Sequence, residues 1–276
     1  MAVGNVIGGL VLCLAWQVYA EAYQPVDPHV SFDSVRNLPA DPADATFSYG
    51  GAPQQYGEFW LPDGDGAFPV VAFVHGGCWL NAYTVAHSRA AATALRDRGF
   101  AVWSLEYRRV GDVGGGWPGS LLDVRRGIDY LSTLAFRYPL DLDRLYLVGH
   151  SAGGHLALLA ASDLKLAVAH VVGLAAITDI EAYARGTSSC QRAARQFMDG
   201  TPARRPEQYA EATKLPDSVA VTLVQGSADQ IVPRSQTDVA RSADNIALRW
   251  VVDAGHFDLI HPGTVAWQAL LDVLQP

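Results

Sequence analysis

The stretch from Leu145 to Ala161 constrains this chain more than any other. The apolar run Leu145-Tyr146-Leu147-Val148 enters Gly149-His150-Ser151-Ala152-Gly153-Gly154-His155, and a second apolar run, Leu156-Ala157-Leu158-Leu159-Ala160-Ala161, leaves it. This is a G-x-S-x-G pattern at a strand-to-helix junction. Small residues two positions either side of Ser151 let a sharp, strained turn bring backbones close together and lift the serine hydroxyl clear of the sheet edge. Such a turn presupposes a sheet with a helix packed behind it. The chain has 26 glycines in 276 residues, so the pattern alone can arise by chance and the rest of the sequence has to agree with it.

Two further regions agree. Val70-Val71-Ala72-Phe73-Val74 reads as a buried strand and runs directly into His75-Gly76-Gly77-Cys78-Trp79. An oxyanion can be reached by backbone N–H groups only where no side chain blocks the approach, which is the physical use of Gly76 and Gly77 after a strand. Downstream, the strand Val219 to Val224 leads to Gln225-Gly226-Ser227-Ala228-Asp229, and the strand Leu248 to Val252 leads to Ala254-Gly255-His256. A nucleophile, an acid and a base therefore stand in the chain order Ser, Asp, His.

Strand and helix patterns alternate along the chain. Thr46 to Tyr49 and Tyr56 to Leu61 read as two antiparallel edge strands. Ser88 to Arg98 reads as a helix stopped by Gly99, Ala101 to Leu105 as a strand, and Ser120 to Leu134 as a helix with Leu121, Leu122, Ile128 and Leu131 facing inward. After the Ser151 helix come strands at Val168 to Ala175, Val219 and Leu248, a helix from Arg234 to Ala243, and a last helix from Val265 to Leu274. The fold class is α/β, a mainly parallel twisted sheet with helices on both faces and ligands at the carboxyl ends of strands. Residues 45–276 form one domain, with a short cap inserted at about 178–218. Residues 21–44, rich in Pro, Asp and Ala, read as a loose arm carrying no chemistry.

Several residues compete for the roles just outlined. Ser151 could serve only as a helix N-cap, but a cap needs neither the flanking glycines nor a remote acid and base. Against His256 stand His29, His75, His87, His150, His155, His170 and His261. His256 is preferred because it follows a late strand in a glycine-introduced loop. His150 and His155 are read as packing or hydrogen-bonding residues turned away from the serine hydroxyl, and His75 as a brace for the oxyanion loop. Asp229 is preferred over Asp179, Asp253 and Asp258 because it ends the strand before the histidine strand, where it can fix the imidazole tautomer. Trp79, Tyr83, Tyr107 and Trp117 divide evenly between pocket lining and core. The Gly114-Gly115-Gly116 run lacks the Lys-Ser/Thr ending of a phosphate loop and reads as a flexible loop near the site.

Composition excludes some functions. A net charge of −8 with 20 basic residues leaves no basic stripe for nucleic acid, and no H-E-x-x-H, paired Cys-x-x-Cys or calcium-loop spacing points to a metal or other cofactor. Residues 1–20 carry no charged side chain and end in Val18-Tyr19-Ala20, as in a secretory signal peptide, so the expected location is secreted or periplasmic, with cytoplasmic as the alternative. Leu10-Val11-Leu12 before Cys13 lacks the small residue of a lipoprotein signal. Of the other cysteines, Cys78 and Cys190 are expected as separate, partly buried thiols that could pair in an oxidising compartment.

The set His75-Gly76-Gly77-x-Trp79, Glu106-Tyr107-Arg108-Arg109, Gly115-Gly116-Trp117-Pro118-Gly119, Gly149-His150-Ser151-Ala152-Gly153-Gly154, Asp229-x-x-Val232-Pro233 and Gly255-His256-Phe257-Asp258-Leu259-Ile260 resembles the bacterial esterase/lipase branch of the α/β-hydrolases. That branch is similar to kynurenine formamidases and hormone-sensitive-lipase-like esterases. Cys78, where the lipase-like branch has a third glycine, favours the formamidase-like version of the loop. The resemblance covers roughly residues 45–275 and implies a serine hydrolase acting without cofactor on a small-molecule ester. Ser151 is the expected nucleophile, Asp229 and His256 its partners, and the amides of Gly76, Gly77 and Ala152 the oxyanion donors. Cleavage of an arylformamide and an inactive binding module are the rival readings. The cap balances six basic against six acidic residues and is short, so a small pocket suited to acetyl to butyryl groups is expected under it. Oligomeric state is left open.

Overall fold

The computed structural model describes residues 23–238 and 243–274. Among these, eight strands form one sheet: β1 (Ala45–Ser48), β2 (Tyr56–Trp60), β3 (Phe68–Val74), β4 (Ala101–Leu105), β5 (Leu140–His150), β6 (His170–Leu174), β7 (Val221–Gly226) and β8 (Ile246–Val251). Their order is β1-β2-β4-β3-β5-β6-β7-β8. The β1–β2 and β2–β4 pairings are antiparallel, and all the others are parallel. The helices are α1 (Phe32–Arg36), α2 (Arg89–Arg96), α3 (Gly119–Asp129), α4 (Leu131–Leu134), α5 (Ala152–Ala160), α6 (Ile180–Ala184), α7 (Ser189–Phe197), α8 (Pro206–Ala212), α9 (Ser235–Asp238) and α10 (Val265–Leu271).

The sequence explains this layout. Val70 to Val74 are wholly buried, as expected of a strand covered on both faces, and each Val or Phe so buried contributes on the order of 2 kcal/mol. Edge strand β1 instead alternates half-buried with exposed residues. The connection from β3 to β4 runs one way along the sheet, and those from β4 to β5 and β5 to β6 run the other. Right-handed crossovers therefore put α2 on one face and α3 with α5 on the other, and α3 does pack against α5. The strand order reverses at β3 and β5. A crevice opens at their carboxyl ends, where open α/β sheets bind ligands.

The structure corrects three expectations and leaves one partly outside the described residues. The helix expected over Ser120 to Leu134 is divided at Tyr130, and Leu122 is 54% exposed because the buried face of α3 runs through Leu121, Val124 and Ile128. Strand β5 starts five residues earlier than its apolar run, and its first half is only partly buried, so its polar residues hid it. Only Ser235–Asp238 of the expected Arg234–Ala243 helix is described, and residues 239–242 lie outside the described residues. The arm is not loose. It carries α1, capped by Ser31, and is tied down by a Val26 amide to Gly263 carbonyl bond of 2.9 Å and by backbone bonds to Asp258. The expected signal segment, residues 1–20, lies outside the described residues. Residues 178–218 contain the short helices α6, α7 and α8.

Candidate active site

Register brings the motifs together. Val74 pairs with Gly149 across β3 and β5, so the His75 loop and the Ser151 turn emerge side by side. Gly226 pairs with Val251 across β7 and β8, so Asp229 and His256 emerge from neighbouring strands. Ser151 adopts φ 56°, ψ −121°, a conformation that non-glycine residues rarely take and that functional turns over-determine by packing. Its neighbours permit this. A Cβ on Gly149 would come within 2.4 Å of the Gly153 carbonyl, and one on Gly153 within 2.1 Å of the Val74 carbonyl.

The Asp229 carboxylate is fully engaged. Its Oδ2 accepts from His256 Nδ1 at 2.8 Å and from Gln225 Nε2 at 3.0 Å, and its Oδ1 from the amides of Ile231 at 2.7 Å and Val232 at 2.9 Å. Burial acts to raise this carboxyl. The bond and charge of His256, together with the two amides, outweigh burial and hold it below the ordinary aspartate range. Because a carboxylate only accepts, Nδ1 of His256 carries the proton, which leaves Nε2 as the basic nitrogen of the neutral ring. His256 and Ser151 line the same cavity, of about 310 Å³.

On the β3 side, a Cβ on Gly76 would come within 3.1 Å of Ser151 Cβ, and one on Gly77, at φ +110°, within 2.4 Å of Tyr83 Cβ. Both positions need glycine. Ala152 opens α5, where the first N–H groups have no partner inside the helix. The Gly76–Gly77 loop is braced by buried residues beside it. His75 Nδ1 meets the Gly76 carbonyl at 2.7 Å and Nε2 meets Glu106 at 3.0 Å, while Arg109 pairs with Glu106 at 2.8 Å and Tyr107 stacks on His75 at 4.7 Å. Burial acts to raise the Glu106 carboxyl, but His75, Arg109 and the Val85 amide bring it below its usual value.

The other expectations divide. Tyr83 lines the cavity, whereas Trp79 and Tyr107 are wholly buried core residues. Trp117 packs on Phe197. Asp253 is exposed, and Asp258 shapes a loop by accepting the Gly255 amide at 2.6 Å. His155 is turned away, bonded to the Ala212 carbonyl at 2.8 Å, and burial holds it down at about 4. His150 does line the cavity, and its Nε2 donates to the His256 carbonyl at 3.1 Å. Burial, then the neighbouring His256 and His87, keep it neutral far below the ordinary histidine range. Cys78 and Cys190 are not separate thiols. They form a disulfide, with Cα atoms 5.1 Å apart, that joins the oxyanion loop to α7. Phe32, His87, Phe257, Gln230 and Ile231 also line the cavity, and no motif had singled them out as wall residues. Among the described residues no cluster of three His, Cys, Asp or Glu could hold a metal, and no helix is long and apolar enough to cross a membrane.

A strained serine turn at the end of β5, a glycine loop beside it at the end of β3 and an Asp–His pair beyond the ends of β7 and β8 sit on the sheet of an α/β-hydrolase of the esterase/lipase branch. The BD-FAE family profile matches residues 58–243, and the chain belongs to that family. Isoprenylcysteine alpha-carbonyl methylesterase ICME of Arabidopsis thaliana is 34% identical over 110 residues, which is 40% of this chain and 25% of that protein. Esterase LipC of Mycobacterium tuberculosis is 27% identical over 222 residues, 70% of this chain and 54% of that protein. The chain thus spans a quarter to about half the length of these curated relatives. Among solved structures, esterase B from Lactobacillus Rhamnosis superposes with a TM-score of 0.72 at 20% identity, covering 88% of each chain. A bacterial heroin esterase gives 0.69 at 19%, covering 88% of this chain and 86% of that one.

Proposed function

We propose that the protein is a carboxylesterase that cleaves small esters through an acyl-enzyme. The observation that carries this reading is the Asp229–His256 bond of 2.8 Å at the cavity that Ser151 lines from its strained elbow. Ser151 attacks the ester carbonyl while His256 Nε2 takes its proton. The imidazolium, stabilised by Asp229, then protonates the departing alcohol. Water repeats the sequence and releases the acid. The amides of Gly76, Gly77 and Ala152 receive the developing oxyanion, and each such donor is worth roughly a hundred- to a thousand-fold in rate. The esterase names among the relatives support the ester as substrate, and the arylformamidase alternative draws no support from them.

Residues 45–276 act as one catalytic domain, with the cap at 178–218 as its roof and residues 21–44 as an arm whose described part, 23–44, is folded onto it. Export to an oxidising compartment, after removal of residues 1–20, is supported by the disulfide, since such bonds persist outside the reducing cytosol. The partner in this reading is a small ester, and neither nucleic acid nor a metal takes part. The test is a side-by-side kcat/KM for p-nitrophenyl butyrate and N-formylkynurenine. The account expects efficient turnover of the ester alone. Formamide turnover at roughly 10⁴ M⁻¹s⁻¹ or above would reverse it.

A further inference from the structure

Part of the cavity wall comes from the N-terminal arm. Phe32, the first residue of α1, lines the cavity together with Ser151 and His256. Its ring meets Tyr83 edge-on at 5.4 Å and lies 5.4 Å from His87 and 5.6 Å from Phe257. Tyr83 and His87 follow β3, and Phe257 follows β8. Phe32 therefore joins two loops that no strand pairing connects.

What holds Phe32 there is Asp258. This fully buried carboxylate accepts three backbone amides: His29 at 2.8 Å and Gly255 at 2.6 Å on Oδ2, and Val30 at 2.8 Å on Oδ1. Backbone amides are thus its hydrogen-bond donors, with the His261 ring close enough to feel its charge. Gly255 precedes His256, and a Cβ on Gly255 would lie 3.6 Å from the His29 Cα. One carboxylate thus fixes both the loop of the base and the arm. Ser31 then caps α1 by accepting the Ser34 amide at 3.0 Å, which leaves little freedom between the anchor and the ring.

We propose that Phe32 is a specificity-determining residue that limits the length of the alkyl group the cavity admits, and that Asp258 is the positioning residue that delivers it. This inference rests on the esterase reading. A cavity of about 310 Å³ is at the lower end of ligand sites, and a phenyl ring in its wall takes up space that a longer chain would need. The substrates implied are esters of short unbranched chains in the wild type and of longer chains once the ring is removed.

The experiment compares wild type, Phe32→Ala, Phe32→Trp and Asp258→Asn. The readout is kcat/KM over two series, p-nitrophenyl acetate to octanoate and ethyl to octyl acetate. In one of the series Phe32→Ala should raise the long-to-short ratio by about tenfold or more, since each methylene newly buried is worth about fourfold. Phe32→Trp should lower the same ratio, which keeps the test decisive where the alanine variant folds poorly. Asp258→Asn, whose amide nitrogen cannot accept, should raise the ratio as Phe32→Ala does, and combining the two should add nothing further. Turnover of p-nitrophenyl butyrate by wild type tests the esterase reading by itself. If that ester is hydrolysed and the Phe32 variants leave both ratios unmoved, the inference is overturned and the esterase reading stands. If wild type hydrolyses no ester in either series, both fall.

Discussion

The inner and outer sides of the cavity are held by different kinds of constraint. On the inner side, Ser151, Gly76, Asp229 and His256 sit within five residues of a parallel strand end, and strand register sets their spacing. The outer wall has no such frame. Phe32 depends on a carboxylate more than two hundred residues away, and Cys190 on a covalent link across 112 residues. Chemistry that needs fixed geometry is built where the backbone already fixes it. The wall that decides what enters is assembled from distant segments tied to the strand-end loops by Asp258 and by the disulfide.

If that division holds, substitutions on the inner side should abolish chemistry and leave the fold, and those on the outer side should alter stability or selectivity. The largest effect expected is at Ser151, the proposed nucleophile. Ser151→Ala should lower kcat by about a million-fold, as loss of one member of a cooperating triad does elsewhere, with an unchanged circular dichroism spectrum. Asp229→Asn should cost roughly ten-thousand-fold through a misdirected His256, measured as kcat on the same ester. Asp253→Asn, at an exposed carboxylate, should change kcat little, and a crippled Asp253→Asn enzyme would reassign the acid.

On the outer side, the paired substitution Cys78→Ser with Cys190→Ser should lower unfolding stability by about 2–4 kcal/mol, read from the denaturant midpoint. Dithiothreitol should lower the wild type equally and the variant not at all. The smallest effect concerns His155, which supports the cap through the Ala212 carbonyl. Its pKa is lowered to about 4 in the fold, so between there and the ordinary histidine value the unfolded chain binds the extra proton. Stability should therefore fall as pH drops through this window, by up to about 1.4 kcal/mol per pH unit for that one group. His155→Gln should flatten the slope by one proton. An unchanged slope would detach His155 from the acid response. The depressed Asp229 and Glu106 carboxyls act lower. Their contribution is complete above the ordinary carboxylate range and is lost only as pH falls through their lower folded values.

The inner side was legible in the sequence for a physical reason. A strained turn needs glycines at fixed offsets, and β3 and β7 are buried almost throughout, so the apolar runs that lead to the glycine loop and to Asp229 are short and nearly unbroken. Asp229 could be ranked above Asp253 and Asp258 from strand position alone, and it accepts from His256 Nδ1 at 2.8 Å. The arm's docking is not legible in the sequence because Asp258 meets the amides of His29 and Val30, and an amide leaves no trace in the side-chain pattern. The disulfide is not legible in the sequence because spacing along the chain says nothing about distance between a strand-end loop and α7. Strand β5 was cut short because Asp141, Asp143 and Arg144 lie in its half-exposed part.

Labelling of the intact protein with a fluorophosphonate, followed by peptide mass spectrometry, tests the central claim most directly, because Ser188 and Ser189 line the same cavity as Ser151. The account predicts a single adduct on Ser151, prevented by Ser151→Ala and strongly slowed by Asp229→Asn. An adduct on Ser188 or Ser189, or none on folded protein, would contradict it.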